Sequence, residues 1–219
     1  MGYDAVLFDH DGVLVEVTTQ ATHLDGARRA FEAVGVDDPD EDDVETLSIG
    51  VTPDQLHEVC ERYSVDPTVF WYHRDQITAD GQYEEMRAGQ KTPYSDLGAL
   101  ADLPVPLGVV SSNQRTTVAF SLAYFDMERH FETMEARDPT VDSLHRKKPN
   151  PHYVECALDD LGGGSALYVG DRENDALAAH RAGLDSVFLR RPHCRSVDLS
   201  VDPTYELETL YGLAELLDF

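Results

Sequence analysis

The stretch Val6-Leu7-Phe8-Asp9-His10-Asp11-Gly12-Val13-Leu14 decides how the rest of the chain is read. An apolar run that reads as a buried strand stops at two aspartates one residue apart, and a glycine follows to let the backbone turn. Two carboxylates therefore stand at the carboxyl end of a strand, the edge of an open α/β sheet where ligands bind. Alone, Asp-x-Asp-Gly reads equally well as a strand followed by a polar turn. The weight falls on what other segments bring to the same edge.

Later segments repeat the design. Leu107-Gly108-Val109-Val110 is an apolar run that ends in Ser111-Ser112-Asn113, and Ala166 to Val169 ends in Gly170-Asp171-Arg172-Glu173-Asn174-Asp175. Short strands are also expected around Phe131 to Ala136 and at Asp185 to Leu189. Helical spacing separates them: one helix through Val118, Phe120 and Leu122, one opened by Asn150-Pro151 and running to Leu161, and one ending at Ala182 before Gly183. Gly162, Gly163 and Gly164 follow a helix instead of preceding one, so they read as a turn into the next strand and not as a phosphate cradle. Strands alternating with helices predict a parallel sheet covered on both faces. The last thirty or so residues read as loop and then a helix bearing Leu207, Leu210, Leu213 and Leu217.

Between the first strand and this alternation the texture is different. Val13 to Val17 predicts a small hairpin beside the aspartates. From Thr19, Leu24, Ala27, Phe31 and Val34 recur at helical spacing and Gly35 stops them. The acidic run from Asp37 to Asp43 suits the positive end of a helix dipole and reads as a solvated helix start. Thr52-Pro53-Asp54-Gln55 combines a cap, a first-turn proline and a glutamine three residues on, leading into Leu56, Val59, Cys60 and Tyr63. Asp66-Pro67 opens another helix, with Val69, Phe70, Tyr72, His73 and Ile77. Beyond Pro93 a helix from about Ser95 to Leu103 leads to the next strand. The expected organisation is an α/β core from residues 1–18 and 92–219, with an all-helical insertion over 19–91.

Composition sets bounds on function. The 219 residues are 42% hydrophobic, enough for a substantial core, and no apolar stretch is long enough to span a bilayer. The N-terminus enters the first strand without the basic region or cleavage site of a signal peptide, which predicts a cytoplasmic protein. Cys60, Cys156 and Cys194 are too far apart to suggest a disulfide framework or a zinc site. Acidic residues number 42 against 17 basic ones, for a formal charge of −25, and Lys91, Lys147 and Lys148 are the only lysines. Nucleic acid and anionic membranes are disfavoured as partners. Acids spread along the whole length resemble the proteins of salt-loving archaea; at about 1 M salt the screening length is roughly 3 Å and self-repulsion is largely removed. An enzyme this acidic, acting on an anion, needs local positive charge where that anion docks.

The strand ends together offer Asp9 and Asp11, Ser111 and Asn113, and Asp171 and Asp175, with Lys148 just before a helix. Three or four carboxylates around one point cannot all stay ionised without a cation, and oxygen ligands suit a hard divalent ion, most simply magnesium. Ser111 and Lys148 supply the hydroxyl donor and the point charge that a phosphoryl group needs.

On those residues the chain resembles the haloacid dehalogenase superfamily, in its phosphoglycolate phosphatase-like branch with a helical cap after the first motif. Asp9-His10-Asp11-Gly12-Val13, Ser111, Lys148-Pro149, and Gly170-Asp171 with Asp175 match the four motifs in order, and Pro93-Tyr94-Ser95 resembles the return from cap to core. The resemblance implies a Rossmann-like core and an aspartyl-phosphate mechanism. Asp9 would be the nucleophile, and Asp11 the acid for the leaving oxygen and then the base for water. Asp9, the Asp11 carbonyl and Asp171 would hold magnesium, with Asp175 holding its water shell or Lys148. Ser111, Asn113 and Lys148 would bind the phosphoryl group. Arg172 stands where many relatives have serine and is expected to touch substrate or pair with Glu173, while His10 occupies a variable position and is expected to be packed. Asp11 argues against halide release, which needs no proton donor.

For specificity the cap offers Arg28, Arg29, Arg74, Lys91 and Phe70-Trp71-Tyr72-His73, although the aromatics are expected to pack the cap's own core and the arginines to pair with acids. The expected function is a magnesium-dependent phosphatase for a small phosphorylated metabolite, phosphoglycolate or a sugar phosphate, acting as monomer or homodimer. The alternatives are a phosphomutase of the beta-phosphoglucomutase type and a non-enzymatic binding module.

Overall fold

The computed structural model describes residues 2–217. In chain order its elements are β1 (Ala5–Phe8), α1 (Gln20–Ala33), α2 (Glu41–Thr46), α3 (Pro53–Tyr63), α4 (Pro67–Arg87), β2 (Leu107–Gln114), α5 (Arg115–Tyr124), β3 (Thr133–Arg137), α6 (Val141–Leu144), α7 (His152–Asp160), β4 (Ala166–Gly170), α8 (Glu173–Arg181), β5 (Asp185–Leu189), β6 (Tyr205–Leu207) and α9 (Leu213–Leu217). The strands form one parallel sheet in the order β3-β2-β1-β4-β5-β6. Val6 pairs with Leu107 on one side and Leu167 on the other, so β1 lies at the centre, flanked by the strands that carry the other two polar ends.

The apolar run of β1 is explained by burial on both faces, as parallel sheets require. Val6 and Phe8 join Val109, Leu167 and Val169 in one core, whereas Ala5 and Leu7 join Val110, Tyr168 and the α7 residues Val154 and Ala157 in the other. Alternate residues thus serve alternate faces.

Helices α1 to α4 gather around a third core containing Phe31, Leu47, Leu56, Phe70 and Trp71, closed by Leu144 of α6. Their starts follow local chemistry. Thr19 and Asp66 cap α1 and α4, and Thr52 with Gln55 completes a reciprocal capping box at α3. Asp40 caps α2, as the acidic run predicted, but Asp43 in that run is buried against Arg62 and the Tyr63 hydroxyl instead of solvated.

Four expectations are corrected. The segment after Gly12 is not a hairpin: Val15 bridges to Asp11 and to Pro93, because its partner is the chain returning from α4. Strand β2 continues through Ser111 to Gln114 with a register shift, its polar residues still held in the ladder. The helix expected from Ser95 is a short 3₁₀ segment over Leu97–Asp102. The C-terminal region adds the edge strand β6, whose three residues are too few and too exposed to show an alternation. No described helix is long and apolar enough to cross a membrane.

Candidate active site

Strand order brings the three polar ends together. Asp9 follows β1, its N–H bonded to the Val169 carbonyl at 2.9 Å. Ser111 lies in β2 next door, and Asp171 follows β4 on the other side. Gly12 turns the chain here at φ 85°, and a Cβ on it would stand 2.2 Å from Asp171 Oδ2. Both the conformation and the space require glycine. Gly170 is fixed likewise, since a Cβ there would meet that of Asp175 at 2.2 Å.

Asp9, Asp171 and Asp175 each offer a carboxylate oxygen, and the three lie within 4.8 Å of one another, all buried. Lys148 is the counter-charge: its Nζ lies 2.8 Å from Asp9 Oδ1 and 2.6 Å from Asp175 Oδ1, and donates to the Tyr168 hydroxyl at 2.8 Å. Asp175 Oδ2 meanwhile accepts the N–H groups of Asp171 and Arg172 at 3.2 and 3.0 Å. One ammonium cannot balance three carboxylates. Burial, opposed by Lys148 and reinforced by Asp175 and Asp171, pushes the Asp9 carboxyl up to about 8. Burial also raises Asp171, against the opposing bond from His193, whose Nε2 lies 2.6 Å from Asp171 Oδ2. The other Asp171 oxygen, Oδ1, is buried without a hydrogen-bond partner. Clustered, buried, under-neutralised oxygens with one orphan among them fit a hard divalent cation.

The Asp11 side chain lies outside this trio. Its two oxygens meet the Lys91 ammonium and, at 2.7 Å, the Asn113 amide. Burial works to raise this carboxyl, but Lys91 and His10 against it hold it well below the usual range. Lys91 is fully buried and also donates to Thr18 Oγ1 at 2.7 Å and Gln82 Oε1 at 2.9 Å. Gln82, from α4, in turn accepts from the Asn113 amide at 2.9 Å. Asn113 therefore spends its amide on Asp11 and the helical segment, while the Ser111 hydroxyl, buried, accepts the Asn113 N–H at 3.1 Å.

A cavity of about 410 Å³ opens over these groups, lined on the sheet side by Asp9, Asp11, Ser111 and Lys148 and on the helical side by Val51, Trp71 and Arg74. Arg172 reaches it too, paired with Asp171 at 4.0 Å; Glu173 instead takes Ser200 at 2.7 Å, so that expected pairing does not form. His10 is packed, as expected, with no exposure. Of the residues weighed in the helical segment, Arg28 and Arg29 pair with Glu41 and Asp25 at the surface, and Phe70 and Trp71 are buried in its core, but Tyr72 is half exposed. Lys91 and Arg74 turn inward to the site.

Gln82, Tyr168 and His193 are not singled out by the residue pattern, and Lys91 is picked out only as a specificity candidate, without its place on Asp11. Scarcity is the signal for that place: in so lysine-poor a chain, Lys148 and Lys91 bind the two paired aspartates and Lys147 lines the same cavity.

Residues 6–189 match the family model described as haloacid dehalogenase-like hydrolase. The pyrophosphatase PpaX of Bacillus velezensis is 28% identical over 138 residues, which make up 62% of this chain and 62% of that protein. The 5'-nucleotidase of Pseudomonas aeruginosa is 24% identical over 221 residues, covering 99% and 96% of the two chains. Among solved structures, CbbY from Rhodobacter sphaeroides in complex with phosphate superposes with a TM-score of 0.71 at 21% identity, covering 99% of this chain and 100% of that one. It shares the fold.

Proposed function

The chain belongs to the haloacid dehalogenase-like hydrolase family, and we propose that it is a magnesium-dependent phosphatase that hydrolyses a small phosphate monoester through an aspartyl-phosphate on Asp9. The observation that carries this reading is the placement of Asp9. Its carboxylate is held by Lys148 at 2.8 Å, beside Asp171 with its orphan oxygen, at the floor of a metabolite-sized cavity. Relatives named as a pyrophosphatase and a 5'-nucleotidase support phosphoryl chemistry.

Asp9 and Asp171 would hold the magnesium ion, with the Asp11 carbonyl, and Asp175 would anchor Lys148 beside it. When bound, the ion neutralises charge on the carboxylates and on the phosphoryl oxygens. Asp9 needs its anionic form to attack phosphorus in line; Lys148 already favours that form, and it shares the incoming negative charge with the Ser111 hydroxyl. Asp11 stands on the leaving-group side. Paired with Lys91 it is in its base form, the form needed to take a proton from the water that hydrolyses the intermediate. Protonating the leaving oxygen in the first step requires this pair to open. Lys91 and Gln82 both come from segment 19–91, which we read as a cap whose movement couples substrate entry to the state of Asp11.

The test is phosphate release from a panel of phosphorylated metabolites in molar KCl with magnesium, comparing the wild type with Asp9→Asn. Release that depends on Asp9 is expected. Equal turnover by both proteins, or isomerisation of a sugar phosphate without release, would overturn the reading.

A further inference from the structure

Across the cavity from Asp9 the charge arithmetic reverses. The guanidiniums of Arg74 and Arg137 each stand 5.0 Å from the Trp71 ring. Lys147 Nζ donates to the Val51 carbonyl at 2.5 Å and has no carboxylate partner among the described residues. The two guanidiniums share one acid: Asp75, fully buried, accepts both terminal nitrogens of Arg137 at 2.6 and 2.8 Å and one of Arg74 at 3.4 Å. Burial first, and then Arg137 and Arg74, push the Lys147 ammonium down to about 8.

A second observation points to a ligand. Trp71 is 2% exposed and lines the cavity, yet its indole Nε1–H is buried without an acceptor. Buried donors are rarely left so unless a partner arrives. Lys147 also retains N–H groups beyond the one it gives to Val51. In a chain of formal charge −25 with three lysines in all, placing one of them here beside two arginines is a concentration of scarce positive charge. The consecutive residues Lys147 and Lys148 send their ammonium groups to the two poles of one cavity.

We propose that this pole, made by Lys147, Arg74 and Trp71, binds a second anionic group of the substrate, which is therefore a phosphate monoester whose leaving group carries a carboxylate or a second phosphate. The inference rests on the phosphatase reading above. Lys147 and the Trp71 N–H would donate to the anion, while Asp75 keeps the two guanidiniums in place.

The experiment compares kcat/KM for ethyl phosphate, 2-phosphoglycolate and ethylene glycol bisphosphate in molar KCl with magnesium, for wild type, Lys147→Met and Lys147→Arg. A charge-assisted hydrogen bond corresponds to about a 10- to 100-fold preference, so the wild type should favour one of the charged esters by that factor over ethyl phosphate. Which of the two wins tells carboxylate from phosphate. Lys147→Met should collapse the ratio and Lys147→Arg should retain it; a merely structural role would lower every substrate together and leave the ratio unchanged. Trp71 is the only tryptophan, so its fluorescence in the Asp9→Asn protein should respond to the preferred ester at a concentration at least tenfold below that needed with ethyl phosphate. Equal kcat/KM for the three esters, or a ratio that survives Lys147→Met, overturns the proposal while leaving the phosphatase intact. Failure to release phosphate from any ester overturns the phosphatase, and the Trp71 titration then judges the anion site by itself, a response equal for ethyl phosphate and the esters with a second anionic group counting against it.

Discussion

The two poles of the cavity have opposite deficits. Beneath the sheet edge, Asp9, Asp171 and Asp175 outnumber Lys148; under the helices, Arg74, Arg137 and Lys147 outnumber Asp75. Each is a buried charge set that a ligand would complete, a cation in one case and an anion in the other. The difference teaches that a strongly acidic chain builds an anion site by local accounting. The acids that dominate the composition are nearly absent from one recess, where three of the 17 basic residues gather around a single carboxylate.

If the sheet pole is the reacting one, Asp9→Asn is the most damaging single change available. The substitution keeps the shape and removes the attacking anion, and loss of a nucleophile costs on the order of 10⁴-fold or more in kcat. Phosphate release measured against a folded control checks it. A loss below about tenfold would mean that Asp9 is not the nucleophile.

The anion pole should respond first in stability. Asp75→Asn strips two buried guanidiniums of the only carboxylate they pair with among the described residues, and uncompensated buried charge of this kind costs about 3–5 kcal/mol. Urea unfolding in molar KCl reads it directly. The same substitution at an exposed acid such as Asp25, paired to Arg29 at the surface, should cost no more than about 1 kcal/mol. Equal losses at the two positions would erase the contrast between a built cluster and a surface pair.

A cation that completes the other pole should show itself without any turnover. Magnesium at about 100 times its dissociation constant stabilises a protein by about 2.7 kcal/mol, so the melting temperature should rise on adding it after chelation. The rise should vanish in Asp171→Asn and survive in Lys147→Met. Loss of the shift in both variants would mean that the poles are not independent.

The poles also differ in how far the sequence betrayed them. The sheet pole is made of residues that follow apolar runs, and such a position is legible because the apolar run stops there, even at Ser111 where the strand continues. Asp9, Ser111 and Asp171 were placed by that rule alone. The anion pole comes from the middle of α4, the end of an edge strand and a loop, and α4 mixes polar with apolar residues on its buried side. Val69 and Tyr72, read from spacing as part of a buried face, are 48% and 52% exposed, whereas Arg74, Asp75, Gln82 and Glu85 are buried. A helix that buries polar and apolar residues together carries no clear amphipathic signal. Strand β6 escaped for a plainer reason, three residues being too short to establish a period.

The smallest effect gives the sharpest separation between the poles. In the free protein Lys147 is held down to about 8 by burial and by Arg137 and Arg74, opposed by Asp75. It is an ammonium below that value and a neutral amine above it. Arg74, brought down by burial to about 10, keeps its charge through this window, and His23, lowered to about 4 by burial and Arg74, is neutral throughout. The profile of kcat/KM reports free-enzyme ionisations. The preference for a doubly anionic ester over ethyl phosphate should therefore be full near pH 6.5 and fall about tenfold as the pH rises through 8. Titrations of Asp9 and Lys148 affect both esters and cancel in the ratio, so the decline isolates the distant pole. Lys147→Arg should flatten it while keeping the preference. A ratio constant from pH 6.5 to 9.5 in the wild type would show that Lys147 does not touch the second anion, and would assign the preference to Arg74 and the Trp71 N–H alone.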